Sequence, residues 1–173
     1  YGNSTATGLG AYACGYSNQA SGAISTAFGF SNQASGAESV AMGFHNATSG
    51  ESSNGFGWKN IATGTVSSAF GAENYAGGDA ASAMGRSNQA VGIRSSAFGY
   101  SNEAQMDNSS AFGFDNTAGG LYSGAFGYMN VASATSAMAF GTVNTASGEA
   151  SGAFGRYNNA EGIRSVAFGY DND

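Results

Sequence analysis

The sequence is short of the residues that most globular proteins use for their cores and surfaces. Among its 173 residues there is no Pro, and only 9% are charged, against roughly 25% in an ordinary globular chain. Leu and Ile are rare, so Ala and Phe supply most of the apolar side chains. Disordered chains share this kind of composition, but the strict periodicity described below indicates a folded repeat.

These shortages also exclude several kinds of site. Cys14 has no second cysteine to pair with, so an internal disulfide cannot form. The net charge is −6 and the few Arg and Lys residues form no cluster, so we predict no nucleic-acid partner. No apolar run approaches the roughly 20 residues of a membrane span, so we predict no membrane contact within this fragment. The sequence begins at Tyr1 rather than Met, and we interpret it as a mature chain or an excised fragment.

Candidate catalytic and metal-binding residues are equally scarce. His45 is the single histidine and stands in a variable position, which favours a surface residue over a general base. The acidic residues are scattered along the chain, whereas a calcium site needs several oxygens converging on one point. We therefore predict no catalytic residue, no metal ion, no cofactor and no enzymatic activity.

What the sequence does contain is a glycine every 14 residues, through twelve consecutive repeats without insertion or deletion. A fixed period of this kind is the signature of a stacked repeat architecture. We call this residue the reference glycine: Gly15, Gly29, Gly43, Gly57, Gly71, Gly85, Gly99, Gly113, Gly127, Gly141, Gly155 and Gly169.

Other positions recur in phase with the reference glycine. Ser or Ala stands four residues before the reference glycine, and Ala usually stands two residues before it. An aromatic residue usually follows it. The whole repeat has the consensus S-x-A-F-G-(aromatic)-x-N-x-A-x-G-x-x. The residue immediately before it is Phe in nine repeats, which we call the phenylalanine stripe: Phe28, Phe56, Phe70, Phe98, Phe112, Phe126, Phe140, Phe154 and Phe168. Asn stands three residues after it in all twelve repeats, which we call the asparagine ladder: Asn18, Asn32, Asn46, Asn60, Asn74, Asn88, Asn102, Asn116, Asn130, Asn144, Asn158 and Asn172.

The spacing of these fixed positions predicts an all-β fold. Within each repeat they lie two residues apart, which is the period of a β-strand and not of a helix. We predict two short strands per repeat and one complete coil per 14 residues, giving a parallel β-solenoid of about twelve coils that forms a single domain over residues 1–173. We expect the frequent glycines to supply the positive-φ corners between the strands.

The two faces of the strands predict where each residue type lies. We favour the register in which Ser, Ala and the reference glycine face inward and Asn forms a ladder of buried amides, because all the fixed residues of the second strand are small. The phenylalanine stripe would then lie outside the coil, and its area exceeds the few hundred Å² that soluble monomers usually expose. That excess predicts a homotrimer with the stripe at its axis. The alternative register places Phe inside and Ser and Ala outside.

The repeat also resembles a known family. Ser39-Val40-Ala41-Met42-Gly43 and Ser165-Val166-Ala167-Phe168-Gly169 are similar to the S-V-A-I-G segment in head repeats of YadA-like trimeric autotransporter adhesins. The resemblance implies a left-handed parallel β-roll, a trimer, and display on a bacterial surface for binding host matrix proteins or glycans. Because Phe stands in place of the family's Ile, and Asn in place of one Ala, a phage fibre built from the same roll remains an alternative.

Three functions are compatible with these features. The first is a surface-displayed adhesin or fibre head, extracellular on a bacterial cell or a virion fibre, that attaches through many repeated contacts. The second is a purely structural fibre module. A lesser alternative is an ice-binding solenoid, which the sparse and unaligned Thr residues disfavour.

Overall fold

The computed structural model describes residues 2–172, and its regular structure consists of β-strands without helices. The described residues fall into two compact units, an N-terminal unit of residues 2–87 and a C-terminal unit of residues 88–172. In each unit, two-residue strands alternate with five-residue strands, with one of each in every repeat. We call these the short strands and the long strands.

The N-terminal unit contains twelve strands. The short strands are Thr5–Ala6 (β1), Gln19–Ala20 (β3), Gln33–Ala34 (β5), Ala47–Thr48 (β7), Ile61–Ala62 (β9) and Tyr75–Ala76 (β11). The long strands are Tyr12–Tyr16 (β2), Thr26–Phe30 (β4), Val40–Phe44 (β6), Asn54–Trp58 (β8), Ser68–Ala72 (β10) and Ser82–Arg86 (β12).

The C-terminal unit contains another twelve strands. The short strands are Gln89–Ala90 (β13), Glu103–Ala104 (β15), Thr117–Ala118 (β17), Val131–Ala132 (β19), Thr145–Ala146 (β21) and Asn159–Ala160 (β23). The long strands are Ser96–Tyr100 (β14), Ser110–Phe114 (β16), Gly124–Tyr128 (β18), Met138–Thr142 (β20), Gly152–Arg156 (β22) and Val166–Tyr170 (β24).

Strands pair in parallel with the equivalent strand one repeat later, and the register is constant. Phe56 of β8 lies opposite Phe70 of β10, and Ala104 of β15 lies opposite Ala118 of β17, so each pairing spans 14 residues. Each unit is therefore a parallel β-solenoid, and with six long strands apiece the chain has about twelve turns. The predicted fold class is confirmed. The handedness, the trimer and the single domain over residues 1–173 stay predictions.

The interior of each unit is built from small and amide side chains. Ala41, Ala69 and Ala111, two residues before the reference glycine, are fully buried, as are the asparagines. Most of the serines four residues before the reference glycine are buried too. The two sheets of a coil therefore pack at a separation too small for a Phe ring, and the phenylalanine stripe lies on the outer face of the long strands. The reference glycine is not interior, since it is partly or fully exposed.

The prediction that glycines supply the positive-φ corners is wrong. The corners lie two and nine residues after the reference glycine, where non-glycine residues have φ between 52° and 59°. At most corners the backbone N–H donates to the carbonyl oxygen of the residue just before the equivalent corner in the preceding coil, as in Ser31 N to Tyr16 O (2.8 Å) and Glu38 N to Ala23 O (2.7 Å). A left-handed residue costs roughly 1–2 kcal/mol, and these hydrogen bonds between coils offset the cost.

Glycine is required instead inside the long strand. The reference glycines have φ between 113° and 123°, a conformation that L side chains rarely adopt. A Cβ at Gly113 would also collide with the carbonyl oxygen of Gly127 in the next coil. The reference glycine is therefore needed for two reasons, the backbone conformation at its position and the close approach of neighbouring coils.

We expect Gly113→Ala to lower the free energy of unfolding by about 3 kcal/mol or more, because it combines positive-φ backbone strain with a backbone collision. Gly119→Ala is the matched control in the same unit, since its Cβ would meet nothing closer than 3.3 Å. Urea unfolding followed by circular dichroism measures both. Equal losses for the two variants would contradict this role for the reference glycine.

Candidate functional site

The outer face of the long strands carries the phenylalanine stripe. In a single chain Phe28, Phe140 and Phe168 are 49%, 57% and 78% exposed, and the other six stripe residues are half-buried. Neighbouring rings pack against each other along the stripe, with centroids 5.2 Å apart for Phe56–Phe70 and 5.4 Å apart for Phe112–Phe126. The C-terminal unit thus carries Phe at this position in all six long strands, whereas Met42 and Met84 interrupt the rings of the N-terminal unit with another apolar side chain.

A second row of rings runs beside the stripe, from the residue after the reference glycine. Tyr16, Phe30 and Phe44 stack with successive centroid distances of 5.0 Å and nearly parallel planes. Tyr100, Phe114 and Tyr128 stack in the same way in the C-terminal unit, at 5.2 and 5.1 Å. We call this row the aromatic ladder. The sequence shows the column of aromatic residues, but the parallel stacking of their rings is visible only in the structure.

Inside the coil, the asparagine side chains link successive repeats. The Asn32 amide nitrogen donates to Asn18 Oδ1 (3.0 Å) in the preceding coil, to Phe28 O (3.0 Å) in its own coil and to Gly43 O (2.8 Å) in the next. Asn32 Oδ1 accepts from both the backbone nitrogen and the amide nitrogen of Asn46. The same contacts recur at Asn116 in the C-terminal unit. The ladder residues from Asn18 to Asn158 are buried, whereas Asn172 is exposed.

The serine column offers no activated nucleophile. The hydroxyls of Ser25, Ser39, Ser53 and Ser67 are buried and have no hydrogen-bond partner among the described residues. His45 lies on the outside, with its ring 4.4 Å from that of Phe44, so it shares no surface with these hydroxyls. The buried serines are therefore part of the coil's interior packing.

Charged groups are sparse on the surface of the described residues. Glu73 and Arg86 form an ion pair at 3.9 Å. A hydrogen bond to the Tyr157 hydroxyl raises the pKa of Arg156 above its ordinary value. Residues 2–172 include no group of three or more His, Cys, Asp or Glu side chains placed to hold a metal ion. They also include no helix long and apolar enough to cross a membrane.

A known family shares this repeat. The profile described as YadA head domain repeat (2 copies) matches residues 6–32, 20–46, 76–102, 104–128, 118–144 and 146–172, which together cover most of the chain. The chain belongs to the YadA head repeat family. A search of curated proteins gave no significant match.

YadA head repeats are a structural family of the adhesin type and not a family of enzymes. Adhesin heads of this family are exposed at the cell surface. The resemblance drawn from the sequence is therefore confirmed, together with the 14-residue coil. The Phe and Asn positions that depart from the usual repeat are the two that build the outer stripe and the inner ladder in this chain.

We expect Asn116→Ala to lower the free energy of unfolding by about 3 kcal/mol or more, since it leaves several buried partners without a hydrogen bond. Asn159→Ala is the control, because the Asn159 side chain donates only to exposed Glu161 Oε1 (2.9 Å). Thermal and urea unfolding compare the variants. If Asn116→Ala unfolds like Asn159→Ala, the ladder does not hold the coils together.

Proposed function

We propose that this chain is the head of an extracellular homotrimeric adhesin, displayed on a bacterial surface or a virion fibre. It attaches to a host matrix protein or glycan through repeated weak contacts and carries out no catalysis. The observation that carries the proposal is the phenylalanine stripe, a row of large apolar side chains on the outer face of a chain whose interior consists of small and amide side chains. Monomers rarely leave so large a continuous apolar face in water.

The distribution of other apolar residues supports a cyclic assembly. The aromatic ladder lies along one edge of the long strands, while the corner at the opposite edge exposes Ile24, Val66 and Tyr122. A cyclic trimer uses two different surfaces of each subunit at every contact. That corner also carries Glu38, Arg94 and Arg164, so the two edges differ in character. Two unlike edges flanking the stripe suit such head-to-tail contacts, with the three stripes meeting at the axis.

The outer face of the short strands is the surface left for a ligand. Gln19, Gln33, Ser21 and Ser35 point outward there and are exposed, and these positions vary from repeat to repeat. A ligand that meets several chains of one trimer gains affinity from multivalency. A structural fibre module is the second candidate, favoured by the regular amide hydrogen bonds along the stack.

Light scattering tests the trimer. We expect a mass near three times 17.2 kDa for the wild-type chain. Phe112→Ser removes a stripe ring that contacts Phe98 and Phe126, so it should dissociate the trimer at concentrations where Gln33→Ser leaves it intact. A monomeric wild type, or equal dissociation by the two variants, would exclude the stripe as the trimer contact.

A glycan and matrix-protein array separates the adhesin from the fibre module. The adhesin predicts saturable binding that is weakened at least about tenfold when the outward Gln and Ser residues of the short strands are replaced by Ala, because many contacts contribute. Phe112→Ser, which we expect to be monomeric, should bind more weakly than the wild type, because it no longer presents several chains to one ligand. Absence of binding to every probe by an intact trimer would favour the structural module.

A further inference from the structure

The charged residues of this chain are concentrated beside the phenylalanine stripe. Each long strand is preceded by a corner eight and nine residues after the previous reference glycine, and we call these the start positions. The two residues that follow its own reference glycine are the end positions. Of the 5 Lys or Arg and 11 Asp or Glu residues, thirteen stand at start or end positions. They are Glu38, Glu51, Lys59, Glu73, Asp79, Arg86, Arg94, Asp107, Asp115, Glu149, Arg156, Arg164 and Asp171.

The two ends of a long strand usually carry opposite charges. Among residues 2–172, five long strands have a formally charged residue at both a start and an end position, and in four of them the signs differ. The four pairs are Glu51 and Lys59 around β8, Asp79 and Arg86 around β12, Glu149 and Arg156 around β22, and Arg164 and Asp171 around β24. The exception is β16, with Asp107 and Asp115, where Asp107 Oδ1 already accepts from Ile93 N (2.9 Å) in its own chain.

These opposite charges do not meet within one chain. A strand rises about 3.3 Å per residue, so roughly 17 Å separates the two ends of a five-residue strand. Lys59 and Arg156 are exposed, and neither forms an ion pair in the part of the chain that the structure describes. Arg86 pairs at 3.9 Å with Glu73 of the neighbouring coil and not with Asp79. A second copy of the chain can bring the start of one strand to the end of another.

We propose that copies of this chain meet end to end along their long strands, with the end of each strand beside the start of the same strand in the next copy. The inference rests on the cyclic trimer proposed above and specifies the residues through which its copies meet. Rotation about a threefold axis keeps equivalent strands at the same height. Lys59 of one copy therefore lies beside Glu51 of the next, and Arg156 beside Glu149.

The signs of the charges favour this arrangement over one shifted by a coil, about 4.8 Å. If the end of each strand met the start of the following long strand, Glu73 would face Asp79 and Arg156 would face Arg164, and no charged end position would face an opposite charge. A shift in the other direction gives two opposite and two like pairs. Like charges in contact disfavour an interface, and the unshifted arrangement has four opposite pairs and one like pair.

The ion pairs fix the register of the copies and supply little of the affinity. An exposed ion pair contributes little to stability. The phenylalanine stripe recurs in every coil, so copies shifted by one coil would still bring large apolar side chains together. The charges differ from repeat to repeat, and they distinguish one shift from another.

Charge reversal at β22 tests the interface in the full chain. Analytical ultracentrifugation gives the concentration at which half of the trimer dissociates. We expect Glu149→Arg or Arg156→Glu alone to raise it about tenfold, because each trimer contains three such pairs, and the two changes together to return it to within about twofold of wild type. Glu161→Arg is the control and should have no effect, since it makes the same change of charge beside the short strand β23.

The shifted arrangement predicts different results for the same variants. Arg156 would face Arg164, so Arg156→Glu would tighten the trimer. Glu149 would face the uncharged end positions Thr142 and Val143, so Glu149→Arg would behave like the control. The two single variants therefore identify the arrangement by the direction of their effects.

Disulfide cross-linking locates the contact independently. Ser136 and Val143 stand at the start and the end of the strand Met138–Thr142, whereas Ala150 stands at the start of the next long strand. The background is Cys14→Ala and the oxidant is diamide. We expect Ser136→Cys with Val143→Cys to give covalent trimers at least about fivefold faster than Val143→Cys with Ala150→Cys, because a disulfide requires Cα atoms within about 7 Å.

The possible failures are distinguishable. A monomeric wild-type chain would exclude both the trimer and this interface. A trimer in which Glu149→Arg behaves like Glu161→Arg, or in which the two cysteine pairs cross-link equally fast, would exclude the pairing of strand ends and leave the trimer standing. Circular dichroism shows whether each variant is folded. If a charge variant fails to fold, the cross-linking rates decide the question.

Discussion

The amide of the asparagine ladder is the constraint on which the rest of this structure depends. The Asn116 side chain, for example, joins three consecutive coils, since it donates to the coil before it, its own coil and the coil after it. A buried amide is costly unless all its partners are present, so each repeat must keep its register with the next. A single inserted residue would break the chain of amides, which explains why the period of 14 has no exception.

An interior made of Asn, Ala and Ser has a consequence for the outside. Small side chains remove little apolar area from water, so the coil depends on hydrogen bonds between repeats more than on a hydrophobic core. The large apolar residues have no room inside and lie on the surface of the long strands, as Phe112 and Phe126 do. The arrangement that makes the coil thin therefore also creates the surface available for assembly and binding.

The corners show how neighbouring coils override local preferences. Ile24, Val66 and Val143 adopt left-handed conformations that their side chains disfavour. Nothing in their identity indicates this, and from the sequence we expected the frequent glycines to supply such corners. The corner N–H groups bond to the preceding coil, as Val143 N does to Tyr128 O (2.8 Å), so the stack enforces the backbone conformation at every repeat. Because these hydrogen bonds involve only the backbone, the residue type at a corner can differ from repeat to repeat.

The sequence by itself determined the period, the strand class and the family, because twelve aligned copies report which positions tolerate no change. In the short strands it also distinguished the fixed inner positions from the variable outer ones through their spacing of two, whereas the fixed reference glycine, expected to face inward, is exposed. Only the tertiary structure decided that the corners are left-handed without glycine, that the reference glycine serves the approach of the next coil, and that the rings of the aromatic ladder stack in parallel. These features depend on contacts between residues 14 or more positions apart, and the residue types of a single repeat do not specify them.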